Sequence, residues 1–321
     1  MKRRFLKILL TVLLVAWAGG TYYGYRQTVT SGENLETVTI GYQKGDPVDV
    51  SRERGVLVEK MAEHGYKVVY KEFADGASEM QALATGKIDY ARTGDTPPVT
   101  AAASGTDIAY IAAGATRSSG SAILIQENSA IASVTDLKGK KVAYTQSTSS
   151  QYLLLMALQK AGLSKEDVTW VNMKQSDAAI AFSKGKVDAW VTWDPYTAQG
   201  EVTQNAKVLT TGEGLSNNRD FILSTQKYAK KHKKVNKLLV KYLAADMTWA
   251  NEHPKKLVKL LTKALSMKQD IVEKMVSRRD WTLRTVTDEV VAEEQQIADV
   301  FYENGLIKKQ INTTDNVIAI K

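Results

Sequence analysis

Gly185-Lys186-Val187-Asp188-Ala189-Trp190-Val191-Thr192-Trp193-Asp194-Pro195-Tyr196 is the stretch whose reading decides the fold. Val187 to Val191 is apolar apart from Asp188 and rich in β-formers, which predicts a short buried strand. Asp194 then supplies an N-cap and Pro195 a proline at the first helical position, so a helix is expected where the strand stops. The turn between them carries Trp193, a large aromatic where polar residues are the rule. In open α/β sheets, ligands sit at strand ends of this kind.

The same design occurs 99 residues earlier, where Gly86-Lys87-Ile88-Asp89-Tyr90 leads to Thr93-Gly94-Asp95-Thr96-Pro97-Pro98. Gly, Lys, Asp, Thr and Asp recur at one constant offset, in the pairs 86/185, 87/186, 89/188, 93/192 and 95/194. A looser echo pairs Val38-Thr39-Ile40-Gly41-Tyr42 with Lys141-Val142-Ala143-Tyr144 at an offset of 102. Two lobes of similar α/β design follow, each presenting a strand-to-helix turn to a cleft between them.

At 321 residues the chain is long for one core and comfortable for two. Net charge is +8, but Lys2, Arg3, Arg4, Lys7 and Arg26 supply +5 before the first acid at Glu33, leaving +3 for the remainder. That mild balance, without a zinc-finger or RNP-like motif, gives no support for nucleic-acid binding. Cysteine is absent, which excludes disulfides, thiolate metal sites, a cysteine nucleophile and a lipid-modified N-terminal cysteine. His64, His232 and His253 fall in predicted helices or at their ends, away from the repeated turns, and read as surface or packing residues. No metal site, cofactor or catalytic set is expected.

Residues 1–30 read as a signal peptide or an N-terminal membrane anchor. Met1 to Lys7 is basic and Ile8 to Ala18 apolar but for Thr11, with Ala16-Trp17-Ala18 in the small-x-small pattern of a cleavage site. Yet the uncharged stretch runs on through Tyr22, Tyr23 and Tyr25, 18 residues in all, close to the minimum for a span. The basic start fits positive-inside orientation. Thr28 to Thr37 would be the tether.

Strands are expected at 38–42, 67–73, 88–91, 108–112, 121–126, 141–144, 168–171, 187–191, 207–211 and 221–224. Those at Ser121 and Phe221 are expected to cross between lobes. Helices are expected at 51–64, 78–85, 97–103, 151–161 and 177–183, and from 228 the chain reads as mainly helical: 228–250, 254–264, 268–278 and 286–304. Lys230, Lys231, Lys233, Lys234, Lys237 and Lys241 make a dense basic helix, read as a solvated face or as one drawn to an anionic membrane.

Thr148, Ser149 and Ser150 precede a helix, where they either cap it or seat an anion against its free N–H groups. Gln43 and Thr93 would add neutral donors and Trp193 an apolar wall. Asp95 and Asp194 read first as helix caps and second as partners for a substrate amine. No Gly-rich phosphate loop with a lysine occurs.

Ile40-Gly41-Tyr42-Gln43-Lys44-Gly45, Thr93 to Pro98, Val187 to Tyr196 and Asp299-Val300-Phe301-Tyr302-Glu303-Asn304 together resemble the aliphatic sulfonate-binding proteins of ABC importers. The resemblance spans about residues 37 to 310. It implies an α/β type II periplasmic-binding-protein fold: two lobes joined by a two-strand hinge, with a helical C-terminal part. Lobe 1 would hold residues 37–121 plus 224–321, and lobe 2 residues 122–223. It further implies a non-enzymatic, extracytoplasmic receptor that binds a small anion, an alkanesulfonate, and passes it to an ABC permease and ATPase. By motif match its binding positions are Gln43, Gly94, Asp95, Thr148, Ser149, Ser150, Trp193 and Asp194, with Thr93 beside them. The family often has Lys-Gly before its serines, where Gln146-Ser147 stand here. Receptors for taurine, nitrate or a thiamine-pyrimidine precursor share the fold, as does a thiamine-pyrimidine synthase-like enzyme.

Overall fold

Gly86 and Gly185 both take a left-handed backbone, φ 67° and 62°, just past the helices Gly76–Ala84 and Gln175–Ser183. Three residues on, Asp89 accepts the Thr39 N–H and Asp188 the Lys141 N–H, each at 2.7 Å. Thr39 lies in β1 (Glu36–Tyr42) and Lys141 opens β6 (Lys141–Tyr144). The repeated aspartate thus pins a strand to its parallel neighbour in both halves, which is what the spacing 86/89 and 185/188 encodes.

The structure, a computed structural model, describes residues 35–318. The segment read as a signal or anchor lies outside them. Among the described residues no helix is long and apolar enough to cross a membrane.

β1 pairs in parallel with β2 (Tyr66–Glu72), and Ile40 bridges to Tyr90 beside them. β3 (Ala91–Thr93), β4 (Ile108–Gly114), β10 (Phe221–Thr225) and β11 (Leu283–Arg284) form a sheet ordered β11-β4-β10-β3. β5 (Ser121–Ile125), β6, β7 (Thr169–Asn172), β8 (Ala189–Trp193) and β9 (Lys207–Thr211) form another, ordered β7-β6-β8-β5-β9. β6 is flanked by parallel strands and β5 by antiparallel ones. Residues 121–211 therefore carry their own sheet, with cores around Leu153 and Val191 on one side and Phe182 and Trp190 on the other.

The Ser149–Lys160 helix is apolar nearly all round, as a helix covered on several sides must be. Tyr152 and Leu155 pack against Val99, Ile297 and Phe301 of the helices Thr96–Ala103 and Asp288–Glu303. The Lys233–Glu252 helix buries Val235, Leu239, Leu243, Met247 and Ala250, the 3.6-residue stripe its sequence spells.

Several boundaries differ from expectation. The helix expected over 51–64 is two, Pro47–Arg54 and Val56–Ala62, because Gly55 turns left-handed at φ 76° and ends the first. The helix expected over 228–250 is likewise broken at His232. The strand placed at 88–91 runs instead over Ala91–Thr93, since Asp89 and Tyr90 spend their N–H groups on Thr39. β5 and β10 each stay within one sheet; the chain crosses between sheets in the segments 115–120 and 212–220.

Candidate functional site

All nine sequence-identified residues lie at or just past the carboxyl ends of strands. Gln43 follows β1 and Thr93, Gly94 and Asp95 lie at the end of β3; Thr148 to Ser150 follow β6, and Trp193 and Asp194 lie at the end of β8. Trp193 is not on the turn but is the last strand residue, paired with Ser121. Pro195 occupies the cap rather than the first helical position of Tyr196–Thr203. Asp194 still serves that helix, accepting the Ala198 N–H at 3.0 Å. Asp95 sits at a cap position without capping; its carboxylate takes the Thr96 hydroxyl at 3.0 Å.

Arginines, none of them singled out in the sequence, gather here. Arg278 donates from Nε and Nη2 to the two Asp194 oxygens at 2.8 and 2.5 Å, and from Nη1 to Glu201 at 2.8 Å. Arg117 donates to the Asn218 carbonyl and side-chain oxygen, both at 2.8 Å. Asp220 is shared by Arg92, Arg117 and Arg279, and Arg92 also faces Asp46 at 3.6 Å. Trp193, Asp194, Asn218, Arg117, Arg278 and Arg279 line one small cavity of ≈ 10 Å³, about the space of a single water.

Burial sets the electrostatics. It pushes Asp46 up to about 6, against the pull of Arg92, and Glu79 up to about 8, with Asp46 adding to the rise. It lowers Arg92 and Arg279 to about 10 and drives Arg117 down as well. The Nε groups of Arg92 and Arg279 are buried without a hydrogen-bond partner among the described residues. Such groups favour an added acceptor, since a buried unmet donor costs about 1–3 kcal/mol.

Gln43 is not the free donor expected of it. Both its amide hydrogens are spent, on Glu79 at 3.1 Å and the Arg92 carbonyl at 3.2 Å. The Thr93 hydroxyl goes to the Gly94 carbonyl at 2.8 Å. Gly94 admits close approach: a Cβ there would lie 2.7 Å from Asn218 Oδ1.

The Ser149–Lys160 helix has no side-chain cap. Thr148 and Ser150 turn their hydroxyls to the Thr145 carbonyl at 2.7 and 3.2 Å, and the Ser149 hydroxyl makes no hydrogen bond among the described residues. An uncapped, buried helix start keeps free N–H groups and a positive dipole end. These three residues do not line the arginine cavity. Asp95 opens on a separate cavity of ≈ 170 Å³ with Tyr152, Ser216 and Glu293, and has no basic side chain within salt-bridge distance among the described residues.

The histidines lie elsewhere: His64 meets Tyr242, His232 meets Glu36 and His253 stacks on Trp249. The arginines left no periodic signature because Arg92, Arg117 and the Arg278-Arg279 pair come from three separate segments. The adjacent Arg278-Arg279, in a break between helices, was the one signal available.

Residues 61–257 match the NMT1/THI5-like family model. An aliphatic sulfonates-binding protein of Escherichia coli K12 is 34% identical over 291 residues, 90% of this chain and 91% of its own. The solved alkanesulfonate-binding protein of Xanthomonas axonopodis pv. citri, bound to MOPS, is 30% identical with a TM-score of 0.84, covering 89% of this chain and 99% of that one. A desulfurization enzyme shares the fold at 13% identity and a TM-score of 0.65 over 88% of this chain and 96% of its own; that likeness speaks to architecture alone.

Proposed function

The chain belongs to the NMT1/THI5-like family and, within it, to the aliphatic sulfonate-binding proteins, and from that premise we propose that it is the extracytoplasmic solute receptor of an ABC importer, holding an alkanesulfonate and handing it to a permease. The observation that carries the reading is the convergence of Arg117, Arg278 and Arg279 beside Trp193. A sulfonate stays singly negative across physiological pH and only accepts hydrogen bonds. The unmet Arg279 Nε–H and, outside the arginine cavity, the uncapped start at Ser149 suit its oxygens. The indole suits its alkyl chain.

In this reading the lobes follow the sheets, residues 37–114 plus 221–318 forming one and 121–211 the other. A cavity the size of one water is too small for a sulfonate, so the lobes part to admit it and close again, the hinge motion of two-lobed binding proteins. The segments 115–120 and 212–220 are where they would bend. Residues 1–30 act as export signal or, retained, as anchor.

One observation favours a second ligand in the same receptor. Asp95, a buried carboxylate in no salt bridge among the described residues, whose carboxyl burial raises although Arg117 lies near enough to pull it down, lines the cavity beside Tyr152 and would suit an amine; taurine carries one.

Incubation with propanesulfonate separates receptor from enzyme. The sulfonate is expected back intact. Release of sulfite would overturn the receptor reading.

A further inference from the structure

We propose that the lysine-rich surface at residues 227–241 docks on an anionic phospholipid membrane. All seven lysines between Lys227 and Lys241 are exposed. None has a carboxylate within salt-bridge distance among the described residues, where the paired lysines are Lys44, Lys60, Lys138, Lys165 and Lys274. Lys227 to Lys268 holds twelve lysines against two acids, Asp246 and Glu252. Asp246 is buried against Arg54, so this stretch presents almost only lysine to solvent, with Glu36 and Asp107 the acids brought against it from elsewhere, at His232 and the Lys227 N–H.

The fold places this surface where the described residues begin. Glu36, the first strand residue, meets His232 at 3.1 Å and pairs with Tyr66. Lys234 lies 5.7 Å from the centre of the Tyr66 ring. Whatever precedes Leu35 therefore leaves the fold beside the lysines. In the sequence that is the tether only from Thr28 to Asn34, because Glu36 and Thr37 belong to β1; it reaches at most ~25 Å, and before it comes the apolar run Ile8–Ala18. Charge complementarity and position both select a lipid surface over a soluble polyanion. Each lysine held near an anionic leaflet strengthens binding on the order of fivefold.

The inference is independent of which ligand is bound, and it uses the N-terminal reading only for proximity.

The test partitions the full chain onto vesicles of phosphatidylcholine alone and of phosphatidylcholine with phosphatidylglycerol, at low and at molar salt. Three proteins are compared: the parent, the Lys230→Gln, Lys231→Gln, Lys234→Gln, Lys237→Gln variant, and a Lys160→Gln, Lys174→Gln, Lys184→Gln, Lys186→Gln control with the same charge loss elsewhere. Binding to phosphatidylcholine alone reads the N-terminal segment. The excess with phosphatidylglycerol reads the lysines. It should vanish at molar salt and fall at least about tenfold in the first variant but not in the control. No excess in the parent, an equal fall in both variants, or an excess unchanged in the first variant would overturn the proposal.

Discussion

Arg278 grips both oxygens of Asp194, at 2.8 and 2.5 Å, across 84 residues of sequence. Asp194 follows β8 of the five-stranded sheet, whereas Arg278 follows the Gln269–Ser277 helix, which packs with the core of the other sheets. Gly120 makes room for the pair, since a Cβ there would lie 2.5 Å from Asp194 Oδ2. The two side chains join one half of the molecule to the other at the cavity's rim.

Arg278→Gln should therefore loosen the closed arrangement. Removing one partner of a well-buried pair costs about 3–5 kcal/mol, and less here because both side chains keep some solvent contact. Small-angle scattering should give a larger radius of gyration for the variant than for the parent at the same sulfonate concentration. Identical curves and identical affinity would mark the pair as unrelated to closure.

Trp193→Ala should weaken hexanesulfonate more than methanesulfonate. Each methylene removed from water is worth about 0.8 kcal/mol, so the gap between the two ligands should narrow by a few kcal/mol at most. An equal loss for both, together with a lowered melting temperature, would make Trp193 a packing residue of its own sheet.

Ser149→Ala removes a hydroxyl that holds nothing within the protein, so the melting temperature should stay near that of the parent. If the hydroxyl meets the sulfonate, affinity should drop about tenfold or more, because a hydrogen bond to a charged group contributes about 1.5–3 kcal/mol. Parent-like affinity would move the anion away from this helix and toward the arginines alone.

Glu79 predicts a pH dependence. Burial raises its carboxyl from 4.5 to about 8, so the folded protein keeps a proton that the unfolded chain releases. That contribution is fully present below 4.5 and is lost as pH rises through about 8. Stability should fall across that window, by up to about 1.4 kcal/mol per pH unit, with Asp46 adding the same sign up to about 6. Glu79→Gln should flatten the profile of urea midpoints. An unchanged slope in the variant would assign the effect to other groups.

The sequence and the structure agree most closely where a local pattern has a local cause. The Gly-Lys-apolar-Asp repeat is legible because a left-handed glycine and an aspartate three residues later act on their own strand junction, at Thr39 and at Lys141. The apolar Ser149–Lys160 helix was legible for the same reason. What failed to show was pairing at a distance. Asp194 read as a cap and is held by Arg278, and Gln43 read as a donor although Glu79 and the Arg92 carbonyl take its hydrogens. Arg92, Arg117 and Arg279 meet at Asp220 from three parts of the chain, and nothing in their spacing announces it.

The central claim is that this receptor holds alkanesulfonates in its cleft, and titration calorimetry of the full chain tests it most directly. Ethanesulfonate, taurine, nitrate and a thiamine-pyrimidine precursor would be titrated in turn. Saturable heat with ethanesulfonate is predicted, with taurine tighter if Asp95 receives its amine. Binding at a hundredfold excess over the dissociation constant should also stabilise the fold by about 2.7 kcal/mol. No heat with either sulfonate, and clear saturable heat with nitrate or the pyrimidine, would contradict the account.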